Sequence, residues 1–390
     1  KTATVSAAGT SVTANSGTDA ITFTLSGLTY TGTYVGAGTN DIASLATSAN
    51  IAGATLTNVT NLTVATGGSV TMTAAQNNAF TNTIVGGGTE TIVISGDGAV
   101  TTLANIEVYT IGDDTTNART VTVSAAGTSV TATTANDAIT FNLGSLTYTG
   151  TVTGENTTAD TLSLNGANIA GGTINSVTNL TLATGTNATM TAAQHTAFSG
   201  TVTAAGTNTI TISGDGAVTT KAPVENYVIG DDTTNARTVT VSALTTSATA
   251  SSGTDAITFV FGTGAFSGTY VGAGTNDIAS AVHNTSFTGA TLTNITNLTI
   301  TGGGAVSLTV AQNNAFTGTI VAGGTETISI SGTGAVTTLA NIEFYSIADD
   351  SSNSKTITVS AATTNVTANS SGDAITFAIS GLTYARTLTG

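Results

Sequence analysis

The densest charged phrase in the chain is GDDTTNAR. It sets Asp113 and Asp114 beside Asn117 and Arg119, and it recurs with Asp231, Asp232, Asn235 and Arg237. A third version, ADDSSNSK, carries Asp349, Asp350, Asn353 and Lys355. Adjacent carboxylates beside an amide carbonyl in one turn are hard oxygen ligands of the kind calcium takes. The three Asp-Asp-Asn sets are therefore candidate Ca²⁺ ligands, since one basic residue does not neutralise two carboxylates. The competing reading is an Asx-type turn whose aspartate pairs with the following Arg or Lys. No spacing matches an EF-hand loop.

Other chemistry-bearing residues point away from catalysis. Glu107, Glu225 and Glu343 recur in NIEVY, VENYV and NIEFY, each a single carboxylate with no partner visible for acid–base work. The two histidines, His195 and His283, stand at non-equivalent places in the repeat, which argues against a triad or a zinc site. There is no cysteine and no G-x-S-x-G phrase. Asp97 and Asp215 in SGDGA give way to Thr333, as turn residues can. Asp19, Asp137, Asp255 and Asp373 precede AITF and read as strand-entry turn residues, with Ca²⁺ ligation as the alternative. The sequons at Asn58, Asn61 and Asn179 are what chance yields in a chain this rich in Asn and Thr. The reading is of a protein that is not an enzyme and has no catalytic residues and no organic cofactor.

Composition narrows the partners. A net charge of −15, from 6 basic and 21 acidic residues, disfavours nucleic acid, whose phosphates demand basic patches. No apolar run approaches the roughly 20 residues of a membrane span. Charged residues are only 7% of the chain, Trp is absent and Pro occurs once. Small and β-branched residues suit thin stacked β layers better than a bulky core.

The elements that carry these residues are repeated. Val5, Val123, Val241 and Val359 sit in the same phrase at steps of 118 residues, as do Gln76, Gln194 and Gln312. Copies run 1–118, 119–236 and 237–354, with a partial fourth at 355–390. Locally the period is two: ITFTLS, SVTMT and ETIVISG alternate, with Gly, Asn, Asp and Ser between them. TAAQNNAF and its equivalents are the one helix-like phrase, worth one or two turns. NVTNLTV and NIEVYTI look alike 47 residues apart, close to twice one fifth of the repeat. That predicts an all-β, parallel β-solenoid of roughly 23–24 residues per rung, about five rungs per repeat, with like residues over like. Unbroken spacing supports it, because a one-residue slip turns a strand inside out. Tandem β-sandwiches are the alternative.

NVTNLTVATGGSVTMTAAQ, NIEVYTIGDD and the Gly-Thr-Asn/Glu turns resemble the tandem β-strand repeats of very large secreted bacterial surface proteins, S-layer proteins and type I-secreted adhesins among them. The turns are loosely similar to the glycine-rich RTX nonapeptide, with Asn40, Glu90, Asn208 and Glu326 where that repeat has Asp. Membership implies an extracellular location, a mechanical or coating role and often calcium. The expected function is a structural repeat protein that self-assembles into a cell-surface layer, sheath or fibre of identical chains. The alternative is an adhesin stalk or a Thr-rich surface that binds ice or glycan, motivated by pairs such as Thr120/Thr122 and Thr238/Thr240.

Overall fold

The computed structural model describes residues 1–15, 17–112, 118–133, 138–155, 159–230, 236–251, 256–348, 354–369 and 374–390. The chain is all-β and winds as a parallel β-solenoid, with stacked strands about 21 residues apart. Thr2–Val5 pairs in parallel with Thr22–Leu25, which pairs with Ile42–Leu45, which pairs with Asn61–Val64. Parallel pairing across short returns rules out the sandwich alternative, whose hairpins would be antiparallel.

Two compact units divide the chain. One comprises residues 1–189 and 197–205, the other 190–196 and 206–390. Each is built the same way. Strands of two to six residues alternate, with β-branched and aromatic side chains inward and Thr, Ser or Asn outward. In the first unit Val70, Ile92, Tyr109, Val130 and Val152 stack one above another, all fully buried. Beside them runs the outward column Thr71, Val93, Thr110, Thr131 and Thr153. Each backbone pairs with the coils above and below, so a coil is stable only through its neighbours.

The coil is shorter than 23–24 residues and its length varies. Leu62 to Ile84 is a step of 22, whereas Thr91 to Val108 is a step of 17. The repeat of 118 is not a whole number of 21-residue coils, so equivalent residues do not lie over one another. In the second unit Thr209–Ser213 belongs to the sheet that continues through Asn226–Ile229, Ser247–Ala250, Thr269–Val271 and Thr291–Thr293. Its equivalent, Thr327–Ser331, lies in a different sheet but between equivalent neighbours, Ala305–Thr309 on one side and Phe344–Ile347 on the other, as Thr209–Ser213 lies between Asn187–Thr191 and Asn226–Ile229. Like-over-like stacking is thus a matter of side-chain class and not of repeat identity.

The helix-like phrase forms six-residue helices: α1, Ala74–Ala79; α2, Ala192–Ala197; and α3, Val310–Ala315. Thr73 and Gln76 form a reciprocal capping box at α1, as Thr309 and Gln312 do at α3. The Gln76 amide also donates to Ile51 O (2.6 Å) and Ala54 O (2.8 Å) of the preceding coil. The helix is therefore a staple across coils.

Candidate functional site

The nine candidate calcium ligands, Asp113, Asp114, Asn117, Asp231, Asp232, Asn235, Asp349, Asp350 and Asn353, lie outside the described residues. Asp137, Asp255 and Asp373 do too. Asp19 is exposed and pairs with Lys1 at 2.9 Å. Among the described residues no cluster of three His, Asp or Glu side chains forms. The basic residues that follow the double aspartates turn inward. Arg119, Arg237 and Lys355 are 4%, 3% and 3% exposed. Arg119 donates to Gly112 O (3.2 Å) and Gly96 O (2.6 Å). Arg237 donates to Gly230 O (2.9 Å) and Gly214 O, and Lys355 to Ala348 O (2.9 Å). Among the described residues these cations satisfy carbonyls of the coils.

The structure brings a different set of acids to the coil corners. Asp41 is buried, and its Oδ1 accepts from Ile21 N of the preceding coil at 2.7 Å. Its Oδ2 accepts from Ala37 N (2.7 Å) and Gly38 N (3.0 Å) of its own turn. Asp160 accepts in the same way from Ile139 N and Glu155 N, and Asp277 from Ile257 N and Gly274 N. One coil further on, Asn61 donates to Asp41 O (3.0 Å) and accepts from Thr83 N (3.0 Å). Asn297 bonds Asp277 O and Thr319 N likewise. Carboxylate and amide thus continue the backbone ladder where the chain bends and would otherwise leave buried N–H groups unpaired. The Asn61 and Asn179 sequons are engaged in this way, Asn179 through Ala159 O and Thr201 N.

A glycine completes each corner. A Cβ at Gly36 would stand 2.5 Å from both Asp41 Oδ2 and Asn58 O, and at Gly154 and Gly272 the fit is as tight. The chain leaves the next coil's corner through Asn58, Ser176 or Asn294, each at φ near +55°. That is the left-handed region which Asn tolerates better than most residues. Spacing does slip here. Gly154 and Asp160 are separated by one residue more than Gly36 and Asp41, and Asn168 recovers the 118 step from Asn50. Asp160 still reaches its partners, so the corner absorbs the extra residue.

The recurring glutamates are not alone. Glu90 N donates to Glu107 Oε2 (3.0 Å) and Glu326 N to Glu343 Oε2 (3.1 Å). In the middle copy Asn208 N donates to Glu225 Oε2 (2.9 Å). The partners sit 17 residues apart, the shortest coil step, which a search for local carboxylate pairs passes over.

His195 has a structural place. Asn77 Oδ1 accepts from Tyr109 OH (3.1 Å) while its Nδ2 donates to Thr101 O (2.8 Å). Asn313 does the same with Tyr345 OH and Thr337 O. His195 stands at the equivalent of these asparagines, its Nε2 3.0 Å from Tyr227 OH. That hydroxyl accepts from Lys221 N (2.8 Å), so its own hydrogen is free to go to Nε2. The ring is 1% exposed and its Nδ1 has no partner. Burial, with Lys221 adding a repulsive charge, pulls its pKa down from 6.5 to about 4. The signal was available: TAAQHTAF lines up with TAAQNNAF.

Two surface features remain. In the first unit the columns Thr101–Thr122–Asn142–Ser163–Thr181–Thr203 and Thr120–Thr140–Thr161–Asn179 run side by side on one sheet. In the second unit the corresponding column, Thr219–Thr240–Val260–Ser280–Thr299–Val321, is interrupted by valines. A shallow groove lined by Asn40, Ile42, Asn61, Thr63, Thr83 and Val85 recurs 236 residues on, at Asn276, Ile278, Asn297, Thr299, Thr319 and Val321. Val85 and Val321 are 46% and 50% exposed there.

No protein-family model, curated protein or solved structure matches the chain. The fold and its corners define a parallel β-solenoid of internally repeated coils. No helix among the described residues is long and apolar enough to cross a membrane.

Proposed function

We propose that the chain is an extracellular structural repeat protein that self-assembles into a cell-surface layer, sheath or fibre. The observation that supports this reading is where cohesion lies. Asp41, Asp160 and Asp277, with Asn61 and Asn297 above them, tie coil to coil along the chain. Such a body resists extension by sharing load over many parallel backbone ladders. Work of this kind needs no catalytic residue and no single binding pocket. The recurring groove with its exposed Val85 or Val321 is the contact surface this reading would use between identical chains. Electron microscopy of the concentrated chain with calcium is expected to reveal ordered assemblies. A strictly monomeric species in sedimentation under those conditions overturns the proposal.

A second reading rests on the Thr, Ser and Asn columns of the first unit: a surface-binding module for ice or glycan. An ice-recrystallisation assay and a glycan array separate it from the first. Calcium at the double-aspartate turns belongs to either reading. It would stabilise the fold by about 2.7 kcal/mol at a hundredfold excess over Kd, and identical melting in chelator removes it.

A further inference from the structure

A single Asn-Gly step occurs in the sequence, at Asn165–Gly166, and every other asparagine is followed by a residue that carries a Cβ. The step forms the bend after Thr161–Leu164, and both of its residues are exposed. This bend gives back the extra residue that precedes Asp160. In the first copy Asn50 stands five residues past Leu45, and in the second Asn168 stands four past Leu164. Asn50 bridges to Thr71 and Asn168 to Thr189, so the second bend reaches an equivalent place with one residue fewer.

The shortening changes how the bend is held. In the first copy Ala46 N donates to Leu25 O (3.0 Å), Ser48 N to Ser69 O (2.8 Å) and Ala49 N to Ala46 O (3.1 Å). In the second, Asn165 N donates to Gly144 O (2.7 Å) and Asn168 N to Leu146 O (2.9 Å). Between them, Gly166 N and Ala167 N have no hydrogen-bond partner among the described residues, and neither does the Asn165 carboxamide. Gly166 takes φ +87°, a left-handed conformation that glycine adopts without strain. A Cβ there would meet only Asn187 O, at 3.8 Å, so nothing crowds the residue.

We propose that Asn165 is a site of spontaneous covalent modification, where the side-chain amide is lost and the backbone is rerouted through the side chain. Gly166 N, having given its proton to hydroxide, attacks Asn165 Cγ. The new N–C bond closes a succinimide ring. The bond from Cγ to the amide nitrogen breaks, and that nitrogen leaves as ammonia after taking a proton from water. Water then adds to one of the two ring carbonyls. Opening between Cγ and Gly166 N leaves aspartate. Opening between the backbone carbonyl carbon and Gly166 N leaves isoaspartate, whose link to Gly166 runs through Cβ and Cγ. Nothing is oxidised or reduced, and the only co-reactant is solvent water.

Isoaspartate adds one carbon to the backbone path in the bend that is a residue short. Either product places a negative charge there. The backbone groups that meet the bend belong to Gly144, Leu146, Ala183 and Asn187, none of them a carboxylate that would oppose the charge. The corresponding bends of the other copies, Ala46-Thr47-Ser48 and Val282-His283-Asn284, contain no such step.

The test incubates the folded whole chain in oxygen-labelled water at mildly alkaline pH, digests it with pepsin in acid and reads the peptides by mass spectrometry. Asn165 should become a mixture of aspartate and isoaspartate carrying one labelled oxygen. It should lose its amide about tenfold faster than Asn187 or Asn284, an activation difference of about 1.4 kcal/mol. Asn165→Gln, whose longer side chain would have to close a larger ring, should gain no label at this position. An Asn165 that survives in the folded chain while the urea-unfolded chain loses it overturns the proposal. So does conversion to aspartate alone, which would mean direct attack of water on Cγ, or conversion no faster than at Asn187 and Asn284. The rates are read on the folded wild type, so a variant that fails to fold leaves these criteria intact.

Discussion

Replacing His195 by asparagine should make the protein more resistant to acid. In the folded chain the imidazole is neutral, sealed 1% exposed against Tyr227, with a pKa of about 4 in place of 6.5. The unfolded chain binds a proton below pH 6.5 and the folded one does not. Stability therefore falls as pH drops from 6.5 towards 4. At ~1.36 kcal/mol per pH unit, the displacement amounts to about 3 kcal/mol, and burial leaves little solvent screening to reduce it. Asn77 and Asn313 show that an amide fits the same pocket and bonds the same tyrosine hydroxyl. The assay is urea denaturation of wild type and His195→Asn at pH 7.5 and again near pH 4.5. The carboxylates contribute equally in both proteins, so the difference between the two pH dependences isolates the imidazole. At the lower pH the variant should lead by about 2 kcal/mol more than at the higher. Parallel pH dependences would refute the reasoning and would mean that the ring takes up a proton without leaving its pocket.

Asp41→Ala removes the acceptor for three backbone N–H groups and should cost about 3 kcal/mol or more, seen as faster amide exchange at Ile21, Ala37 and Gly38. Gly36→Ala drives a methyl into Asp41 Oδ2 and Asn58 O and should destabilise by at least ~2 kcal/mol, whereas Gly9→Ala meets nothing within 4 Å and should stay within about 0.5 kcal/mol of wild type. Equal melting of those two variants would remove the corner glycine from the account. Tyr109, Tyr148, Tyr227, Tyr270 and Tyr345 have pKa values raised well above 10 by burial. Because the unfolded phenols ionise near 10, stability should drop above that pH, and ultraviolet titration should show these five ionising only as the chain unfolds.

The solenoid itself was legible in the strand-length alternation and the 118-residue period, because both are properties of backbone pairing. Coil length was not. NVTNLTV and NIEVYTI look like successive rungs, yet Asn61–Val64 and Val108–Ile111 lie in different sheets. What stacks on Tyr109 is Ile92 below and Val130 above, which share burial and size class but no phrase. Hydrophobic columns select for shape, so textual likeness does not report on vertical neighbours. Asp41, Asp160 and Asp277 carry no local mark in the sequence that distinguishes an aspartate facing inward. Their partners, Ile21, Ile139 and Ile257, are a full coil away in the chain. Glu90 and Glu107 were separated by the same obstacle, while His195 could have been placed by aligning the copies.

The corner aspartate also bears on how such a chain changes over generations. Because Asp160 compensates for an extra residue without disturbing Thr161–Leu164 and its alignment to Asn179–Leu182, insertions and deletions at bends need not be lethal. Coils of 17 and 22 residues recur at the same places in each copy, so differences in coil length are inherited with the repeat.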